Sequence, residues 1–279
     1  MSAPESYNTL DFGNISPFTL SVTYNNQKNI NLESEPPSHI HDKFEIYFNL
    51  SGDVSFIVEN HTYPISRGNL IITKPFEYHH CIYHDNKKHE HYCLEFSGCE
   101  NDEFFKPFYE RKKGTGNHIA LTEEQTYSIK RHLDALILAT NHTIIDNYYH
   151  FIRILQIMQS GAEMDEDGIY EDIPENLRKV LDDISQNYAQ PITVATLAAN
   201  IFVSVNTLER YFKRYLNITP SEYIKRKRLS EAVLLLNANK SVSQVAYTCG
   251  FTDTSNFIQI FKKQFGKTPY QYQKNKRQL

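Results

Sequence analysis

The sequence lacks several features that would place a chain of 279 residues in other classes of protein. No stretch approaches the roughly 18 consecutive apolar residues of a membrane-spanning helix. The first residues, MSAPESYNTLDFG, have neither the basic nor the apolar region of a secretory signal. The four cysteines contain no C-x-x-C pair, which fits a reducing compartment better than a disulfide scaffold. We therefore expect a cytoplasmic protein without membrane contact and exclude extracellular and fibrous classes.

Signatures of common enzymes are also missing. The sequence has no P-loop, no G-x-G-x-x-G motif and no complete Ser/His/Asp or Cys/His arrangement. We therefore expect that the protein is not an enzyme.

Charge is distributed unevenly, although the formal net charge is only −4. Residues 174–279 carry 16 lysines and arginines against 7 acidic residues, a local net charge of +9. Residues 1–173 carry 13 against 26, a net charge of −13, and contain all 12 histidines. The basic part is suited to a polyanion, and the acidic part to a different task.

The spacing of apolar residues divides the chain further. Residues 18–98 contain short apolar clusters separated by turn residues, which is typical of a β-sandwich or barrel. Residues 123–160 change to helical spacing with a break near Asn141, whereas residues 161–173 are acidic and contain two glycines. We predict an α+β protein with four parts: residues 1–121 (β domain), 122–160 (two helices), 161–173 (linker) and 174–279 (all-α domain).

The all-α part contains an internal repeat. Three elements recur 49 residues later: Phe212-Lys213-Arg214 as Phe261-Lys262-Lys263, Thr219-Pro220 as Thr268-Pro269, and Tyr223 as Tyr272. Repetition of type, order and spacing indicates one supersecondary unit used twice. Each copy predicts a short helix, a tight turn and a longer helix, which is the helix-turn-helix pattern. In the second copy we expect Ser241–Tyr247 to form the first helix, Gly250 the turn, and Thr252–Thr254 the start of the next helix.

The longer helix of each copy has an outer face that is chemically suited to DNA. We assign base reading to Asn206, Arg210, Ser255 and Gln259, because arginine pairs with guanine and amides pair with adenine. We assign phosphate contacts to Lys213, Arg214, Lys262, Lys263 and Lys267. The alternative is that these are ordinary solvated faces, but two matched faces within a basic region favour DNA.

A helix predicted over residues 220–236 joins the two copies. It spans roughly 25 Å, so that with flanking residues it can set two recognition helices about 34 Å apart, one turn of DNA. The basic run Lys225–Arg228 on this connector either contacts phosphate or is simply solvated, and the sequence leaves both readings open.

The motifs of this region resemble a known family. They include Gly250-Phe251-x-Asp253-x-Ser255-x-Phe257 and Gly266-x-Thr268-Pro269-x2-Tyr272. Residues 174–279 resemble the DNA-binding domain of the AraC/XylS family of bacterial transcription regulators, except that Asn217 stands where a glycine is common. The resemblance implies two helix-turn-helix motifs, a promoter target and contact with RNA polymerase.

The N-terminal part is similar to the two cupin motifs. These are matched by His39-Ile40-His41-x3-Glu45-x6-Gly52 and Gly68-x6-Pro75-x3-His79. The resemblance implies a jelly-roll barrel with an interior pocket, as in the cupin-like sensor domain often found before this DNA-binding domain. His39, His41, Glu45 and His79 are ligand types for a divalent metal. The alternative is that these residues line an effector pocket without metal.

The identity of the effector is less constrained. We assign the pocket to His39, His41, Glu45, Tyr47 and His79, with further walls from Phe48, Phe56, Tyr78 and Tyr83. Such a mixture of aromatic and polar groups suits a sugar, although other small metabolites fit it too. The remaining histidines of the next hairpin, His80, His84, His89 and His91, are expected at the surface.

Three hypotheses for the whole chain follow. The first, which we favour, is a ligand-responsive transcription regulator that is a homodimer through the helices of residues 122–160. The second is a metal-dependent cupin enzyme fused to a basic helical domain, and the third is a DNA-binding regulator that senses no ligand. The helical segment has its own alternative, because it can simply cap the barrel.

Overall fold

A computed structural model describes residues 6–11, 19–27, 40–59, 61–85, 88–97, 105–138, 142–163 and 174–276. The chain divides into two compact units, Met1–Pro36 with Lys43–Asp172 and Pro37–Asp42 with Ile173–Leu279. Within the described part of the chain, no helix combines the length and the apolar character needed to cross a lipid bilayer.

The first unit is built on ten strands among the described residues. They are β1 (Ser6–Asp11), β2 (Thr19–Gln27), β3 (Phe44–Ser51), β4 (Val54–Val58), β5 (His61–Ile65), β6 (Asn69–Thr73), β7 (His79–Tyr83), β8 (His89–Ser97), β9 (His118–Ala120) and β10 (Ala162–Glu163). A seven-stranded sheet has the order β1-β2-β8-β3-β6-β9-β10, and a three-stranded sheet has the order β5-β4-β7. Two antiparallel sheets in this arrangement confirm the predicted jelly-roll-like fold.

Strands β3 and β6 of the large sheet present alternate residues to two different cores. On β3, Phe44, Ile46 and Phe48 pack in a core on the helical side of the sheet. Tyr47 instead packs with Phe56 and other residues of the small sheet. The even-numbered residues of β3 therefore pack on the side of the helices, whereas its odd-numbered residues line the space between the sheets.

The described residues of the first unit form three helices: α1 (Lys106–Tyr109), α2 (Glu123–Ile137) and α3 (Ile144–Gln159). Thr122 and Thr143 begin α2 and α3 with capping boxes, completed by Gln125 and Asp146. The predicted pair of helices with a break between them is therefore confirmed. One expectation is corrected: Ala162–Glu163, which the sequence assigned to the linker, pair with β9 as a short strand. The rest of the predicted linker, residues 164–173, lies outside the described residues.

The second unit is all-α in its described residues, as predicted. Its helices are α4 (Glu175–Asn187), α5 (Val194–Asn200), α6 (Val205–Leu216), α7 (Pro220–Asn237), α8 (Val242–Thr248), α9 (Thr254–Phe265) and α10 (Pro269–Lys276). The helix predicted from Ser241 begins one residue later, because the Ser241 side chain accepts a hydrogen bond from the Gln244 amide as its N-cap. Asp253 caps α9 in the same way, so that helix begins at Thr254.

Candidate nucleic-acid interface and effector site

Helices α5 and α6, and again α8 and α9, form two helix-turn-helix units. In each pair a small residue, Ala198 or Ala246, is buried on the shorter helix. The longer helices bury Leu208 and Phe212 in the first unit. Phe257 and Phe261 are buried at the positions 49 residues further on. The repeat seen in the sequence is therefore a repeat of local packing.

The turns of the two units share a left-handed backbone conformation but not a residue type. Gly250 has a φ of +80° in the second unit, and Phe202, 48 residues earlier, has a φ of +56° in the first. The longer helices also end in this conformation, at Asn217 (φ +52°) and at Gly266 (φ +71°). Asn217 thus adopts the left-handed conformation for which the family pattern commonly has a glycine at this position.

The residues assigned to DNA all lie at the surface. Exposed positions on α6 are Asn206, Arg210, Lys213 and Arg214, and exposed positions on α9 are Ser255, Gln259, Lys262 and Lys263, with Lys267 following. Each set lies opposite the buried stripe of its own helix. The structure therefore gives each unit one continuous polar face with two cations towards the helix C-terminus.

The basic run on the connector helix α7 has partners within the protein. Arg228 donates hydrogen bonds to the carbonyl oxygens of Tyr188 (2.7 Å) and Gln190 (2.9 Å). Lys227 is buried and pairs with Glu231 at 3.0 Å, while Lys225 and Arg226 pair with Glu222. The sequence left this run between phosphate contact and simple solvation, and the structure favours a third reading, in which it supports the fold.

In the first unit, several titratable side chains are buried between the two sheets. Glu45 Oε2 lies 3.3 Å from His79 Nε2, and both side chains are almost fully buried. Burial lowers the pKa of His79, but the Glu45 carboxylate and hydrogen bonds outweigh this and raise the pKa above its ordinary value. Glu45 and His79 are therefore electrostatically coupled in the interior of the fold.

Tyr47 connects a second group of interior side chains. Its hydroxyl forms a hydrogen bond of 2.7 Å with His89 Nε2, and its ring stacks on His91. Burial lowers the pKa of His89 to about 4 and, together with His89, lowers that of His91 to about 3. These imidazoles are neutral at pH 7 and can accept as well as donate hydrogen bonds.

Several assignments to the pocket are changed by these contacts. Phe48 was assigned to its wall, but it packs on the helical side of the sheet, because it alternates with Tyr47 along β3. His80, His89 and His91 were expected at the surface, but they are buried, whereas His84 is exposed as expected. Alternation along β8 places His89 and His91 on the face opposite Tyr92 and Leu94, and packing of the small sheet on that face, which is not a local signal, buries them.

The four proposed metal ligands are not all assembled in the first unit. Glu45 and His79 are in contact, His39 lies outside the described residues, and His41 belongs to the segment Pro37–Asp42 of the second unit. The set His39, His41, Glu45 and His79 therefore stays a prediction.

An open cavity of about 1030 Å³ lies outside the space between the sheets. Its lining includes Ile72, Arg111, Ile119 and Met158. The Arg111 guanidinium on this wall is paired with the buried Glu77 carboxylate. Since that charge is already neutralised, the assignment of the effector stays with the interior residues around Tyr47.

Comparison with known proteins agrees with the two-unit architecture. The family model "AraC-like ligand binding domain" matches residues 30–144, and the model "Helix-turn-helix domain" matches residues 197–275. The HTH-type transcriptional activator RhaS of Yersinia pestis bv. Antiqua (strain Angola) is 24% identical over 252 residues, which cover 85% of this chain and 89% of the relative. The probable transcriptional regulator LumQ of Photobacterium leiognathi is 39% identical over 102 residues, 36% of this chain and 41% of the relative.

Solved structures with similarity include a DNA-binding transcriptional dual regulator from Escherichia coli K-12, with 26% identity, a TM-score of 0.36, and coverage of 40% of this chain and 100% of that chain. Apo ToxT from Vibrio cholerae is 13% identical with a TM-score of 0.40 and covers 91% of this chain and 96% of its own.

A ligand-binding β domain followed by a helix-turn-helix domain defines a DNA-binding transcription regulator rather than an enzyme. The chain belongs to the AraC/XylS family of such regulators.

Proposed function

We propose that the protein is a ligand-responsive transcription activator in which α6 and α9 read two successive major grooves of promoter DNA. The observation that carries this proposal is the pair of matched, exposed faces on these helices. Arg210 suits guanine, and Asn206 and Gln259 suit adenine, each by two hydrogen bonds. Ser255 completes the base-reading set.

The connector supports reading from one side of the duplex. Helix α7 has 18 residues, which correspond to a length of about 27 Å at 1.5 Å per residue. This length approaches the roughly 34 Å between successive major grooves on one side of DNA. A continuous helix with ion pairs along its length keeps such a distance better than a flexible linker would.

Phosphate contacts are assigned to five exposed cations: Lys213, Arg214, Lys262, Lys263 and Lys267. They set the register of the protein on DNA and make its affinity sensitive to salt. The basic run of α7 is left out of this set because its side chains are paired within the protein.

The effector site is proposed between the two sheets. Asn49 is fully buried, and within the part of the chain that the structure describes neither of its side-chain polar atoms has a hydrogen-bond partner, nor has Nδ1 of His91. Buried polar atoms are normally paired, so a hydroxyl-rich ligand would satisfy capacity that the protein leaves unused. Tyr47 stacks on His91, and Phe56 packs against Tyr47, so that aromatic surface adjoins a polar group, and the combination favours a sugar or a similar polar metabolite.

A homodimer is proposed through the outer side of α2 and α3. Their inner sides pack on the sheet with Leu133 and Phe151, which fulfils the capping role. Large apolar residues remain exposed on the outer side: Tyr127, Leu138, Ile145 and Tyr149. Both roles are thus compatible, and two-fold dimers are the commonest assemblies.

Activation through RNA polymerase is proposed because the relative RhaS is named a transcriptional activator.

Nuclease footprinting on DNA upstream of the protein's own gene and of neighbouring genes tests the DNA-binding part. We expect protected blocks one helical turn apart on one side of the duplex, which persist against competitor DNA and graded salt. Diffuse protection of the DNA that disappears as salt is raised, whether or not a panel of metabolites is added, would contradict base reading by two paired helices.

Thermal unfolding with a panel of sugars and small metabolites tests the effector site, because a ligand raises the unfolding temperature only if it binds the folded state better. We expect one ligand class to stabilise the wild type and the His84→Gln control but not Asn49→Ala. If no ligand stabilises the wild type, the regulator that senses no ligand becomes the better description.

A further inference from the structure

Two glutamates stand directly opposite each other on neighbouring strands of the large sheet. Glu45 on β3 is the register partner of Glu95 on β8. Cys93 lies two residues before Glu95 and therefore faces the same side. One ligand atom from each of these three side chains lies within 4.8 Å of the others. Like charges at directly opposed positions are destabilising unless a cation lies between them.

The surroundings add donors that the fold does not use. Thr73 is the register partner of Glu45 on the other side, on β6. It is fully buried, and its hydroxyl oxygen has no hydrogen-bond partner among the described residues. His91, two residues before Cys93 on the same face, is also buried, and its Nδ1 has no partner in the described part of the chain. The Thr73 hydroxyl therefore points to a missing ligand beside the carboxylate pair, whereas His91 lies opposite Asn49 and belongs to the proposed effector site.

Two cations already touch the cluster, one from each side. Lys43 pairs with Glu95, and His79 pairs with Glu45 at 3.3 Å. The Glu95 and Lys43 side chains are 31% and 39% exposed, so the cluster can be reached from solvent on that side. A metal ion that enters there would compete with the Lys43 ammonium for Glu95.

We propose that Glu45, Cys93 and Glu95 bind one divalent transition metal ion of the Zn²⁺ type, with His79 as the nearest further donor. Sulfur, nitrogen and carboxylate oxygen together are the ligand set that Zn²⁺ takes in tetrahedral sites. The thiolate selects against Mg²⁺ and Ca²⁺, which prefer oxygen ligands only. Binding replaces the thiol proton of Cys93 and, where His79 becomes a ligand, the proton on its Nε2, and these protons leave to solvent.

This site differs from the histidine set expected from the cupin motifs. The two sets share Glu45, but only this one uses a cysteine, and all of its ligands lie in the first unit. It also goes beyond the proposed function, because neither DNA reading nor binding of a polar effector near Asn49 requires a metal.

Cobalt(II) titration of the full-length, reduced and metal-free protein tests the proposal, because a thiolate ligand gives cobalt a charge-transfer band in the near ultraviolet. We expect this band to saturate at one cobalt per chain and to disappear when Zn²⁺ is added. The Cys93→Ser variant should lose the band, while the matched control Cys81→Ser should keep it. Circular dichroism on each variant confirms that it folds.

Two more variants keep the test decisive if Cys93→Ser folds poorly. Glu95→Gln should weaken cobalt binding, and Lys43→Gln should tighten it, since the latter removes the competing cation. The proposal is wrong if the wild type shows no charge-transfer band, or if the band survives in Cys93→Ser. Cobalt bands of a site without sulfur would likewise overturn it and would support the histidine set instead.

Discussion

Single residues distinguish the two helix-turn-helix units most clearly at their left-handed backbone positions. The second unit has glycine at both of them, Gly250 in the turn and Gly266 at the end of α9. The first unit has Phe202 and Asn217 instead. Left-handed backbone costs roughly 1–2 kcal/mol for residues with a side chain, least for asparagine. The first unit is therefore the more strained of two otherwise matched copies.

Replacing Phe202 by glycine should relieve this strain. The ring is 96% exposed, so little packing is lost, and the free energy of unfolding should rise by about 1 kcal/mol. Urea unfolding of the wild type and Phe202→Gly measures the change, with Asn217→Gly as a control expected to shift less. A decrease in stability for Phe202→Gly would mean that the ring contributes more to the folded state than its exposure indicates.

The glycines of the second unit should respond differently from each other to alanine. A Cβ at Gly250 would lie 2.6 Å from the carbonyl oxygen of Ala189, whereas a Cβ at Gly266 would meet no atom of the described residues within 4 Å. We expect Gly266→Ala to cost about 1 kcal/mol from backbone strain alone, and Gly250→Ala to cost more than about 2 kcal/mol. Denaturant midpoints decide the order, and equal costs would show that the turn moves away from Ala189 without penalty.

Base reading and phosphate contact should be separable at single residues. Arg210→Ala or Gln259→Ala should cost about 1–3 kcal/mol of binding and relax preference at one base pair. Lys213→Ala should weaken binding to all sequences alike and reduce the slope of affinity against salt by about one. Binding to a set of single-base operator variants measures both. A uniform loss for Arg210→Ala and Gln259→Ala would reassign these residues to phosphate.

Among the secondary-structure elements, helices and central strands could be predicted because their signals are local. The period of α2 and α3, the capping residues and the strands around β3 are all visible in short windows of sequence. The neighbours of a strand are not local, since they depend on register between distant segments. Glu45 opposite Glu95, and Tyr47 beside His89, follow from pairing of β3 with β8, so the sequence alone did not reveal them.

The contact between α2 and α3 includes two histidines that should make stability depend on pH. Nδ1 of His132 lies 2.9 Å from Nδ1 of His150. Burial, with His150 and the Arg131 and Arg153 side chains adding to it, lowers the pKa of His132 to about 4, and burial lowers that of His150 as well. The unfolded chain, with histidine pKa values of about 6.5, therefore binds more protons than the folded one below that pH.

The free energy of unfolding should accordingly fall as the pH drops from about 6.5 towards 4. Because solvent screens the histidine pair, we expect His132→Gln to reduce this loss by only about 1 kcal/mol. Urea unfolding at about pH 7 and about pH 5 measures the difference between the variants. His84→Gln, at an exposed position, serves as the control. Parallel pH profiles for the wild type and His132→Gln would show that this histidine pair does not link protonation to folding.

At the scale of the whole molecule, the sequence was most informative where it repeats. A shift of 49 residues maps the buried stripe and the polar face of α6 onto those of α9. An assignment made in one copy could therefore be checked at the matching positions of the other. The N-terminal domain has no such internal check. Its interior histidines and its carboxylate pair depend on how two sheets close on each other, and its effector leaves no repeated pattern to compare.

The distance between the two recognition helices gives the last prediction. Helix α7 is continuous from Pro220 to Asn237 and is fixed by Arg228 to the end of α4, so α6 and α9 cannot adjust to a new spacing. Inserting about half a helical turn, roughly 5 base pairs, between the two protected blocks should rotate one block to the other side of the duplex. Because each lost base contact costs about 1–3 kcal/mol, affinity should fall at least tenfold, or about 1.4 kcal/mol.

A full-turn insertion of roughly 10 base pairs restores the side but not the distance, so a rigid connector predicts a loss there too. Recovery of affinity with the full turn would mean that the connection is flexible, whereas unchanged affinity with both insertions would mean that only one helix reads bases.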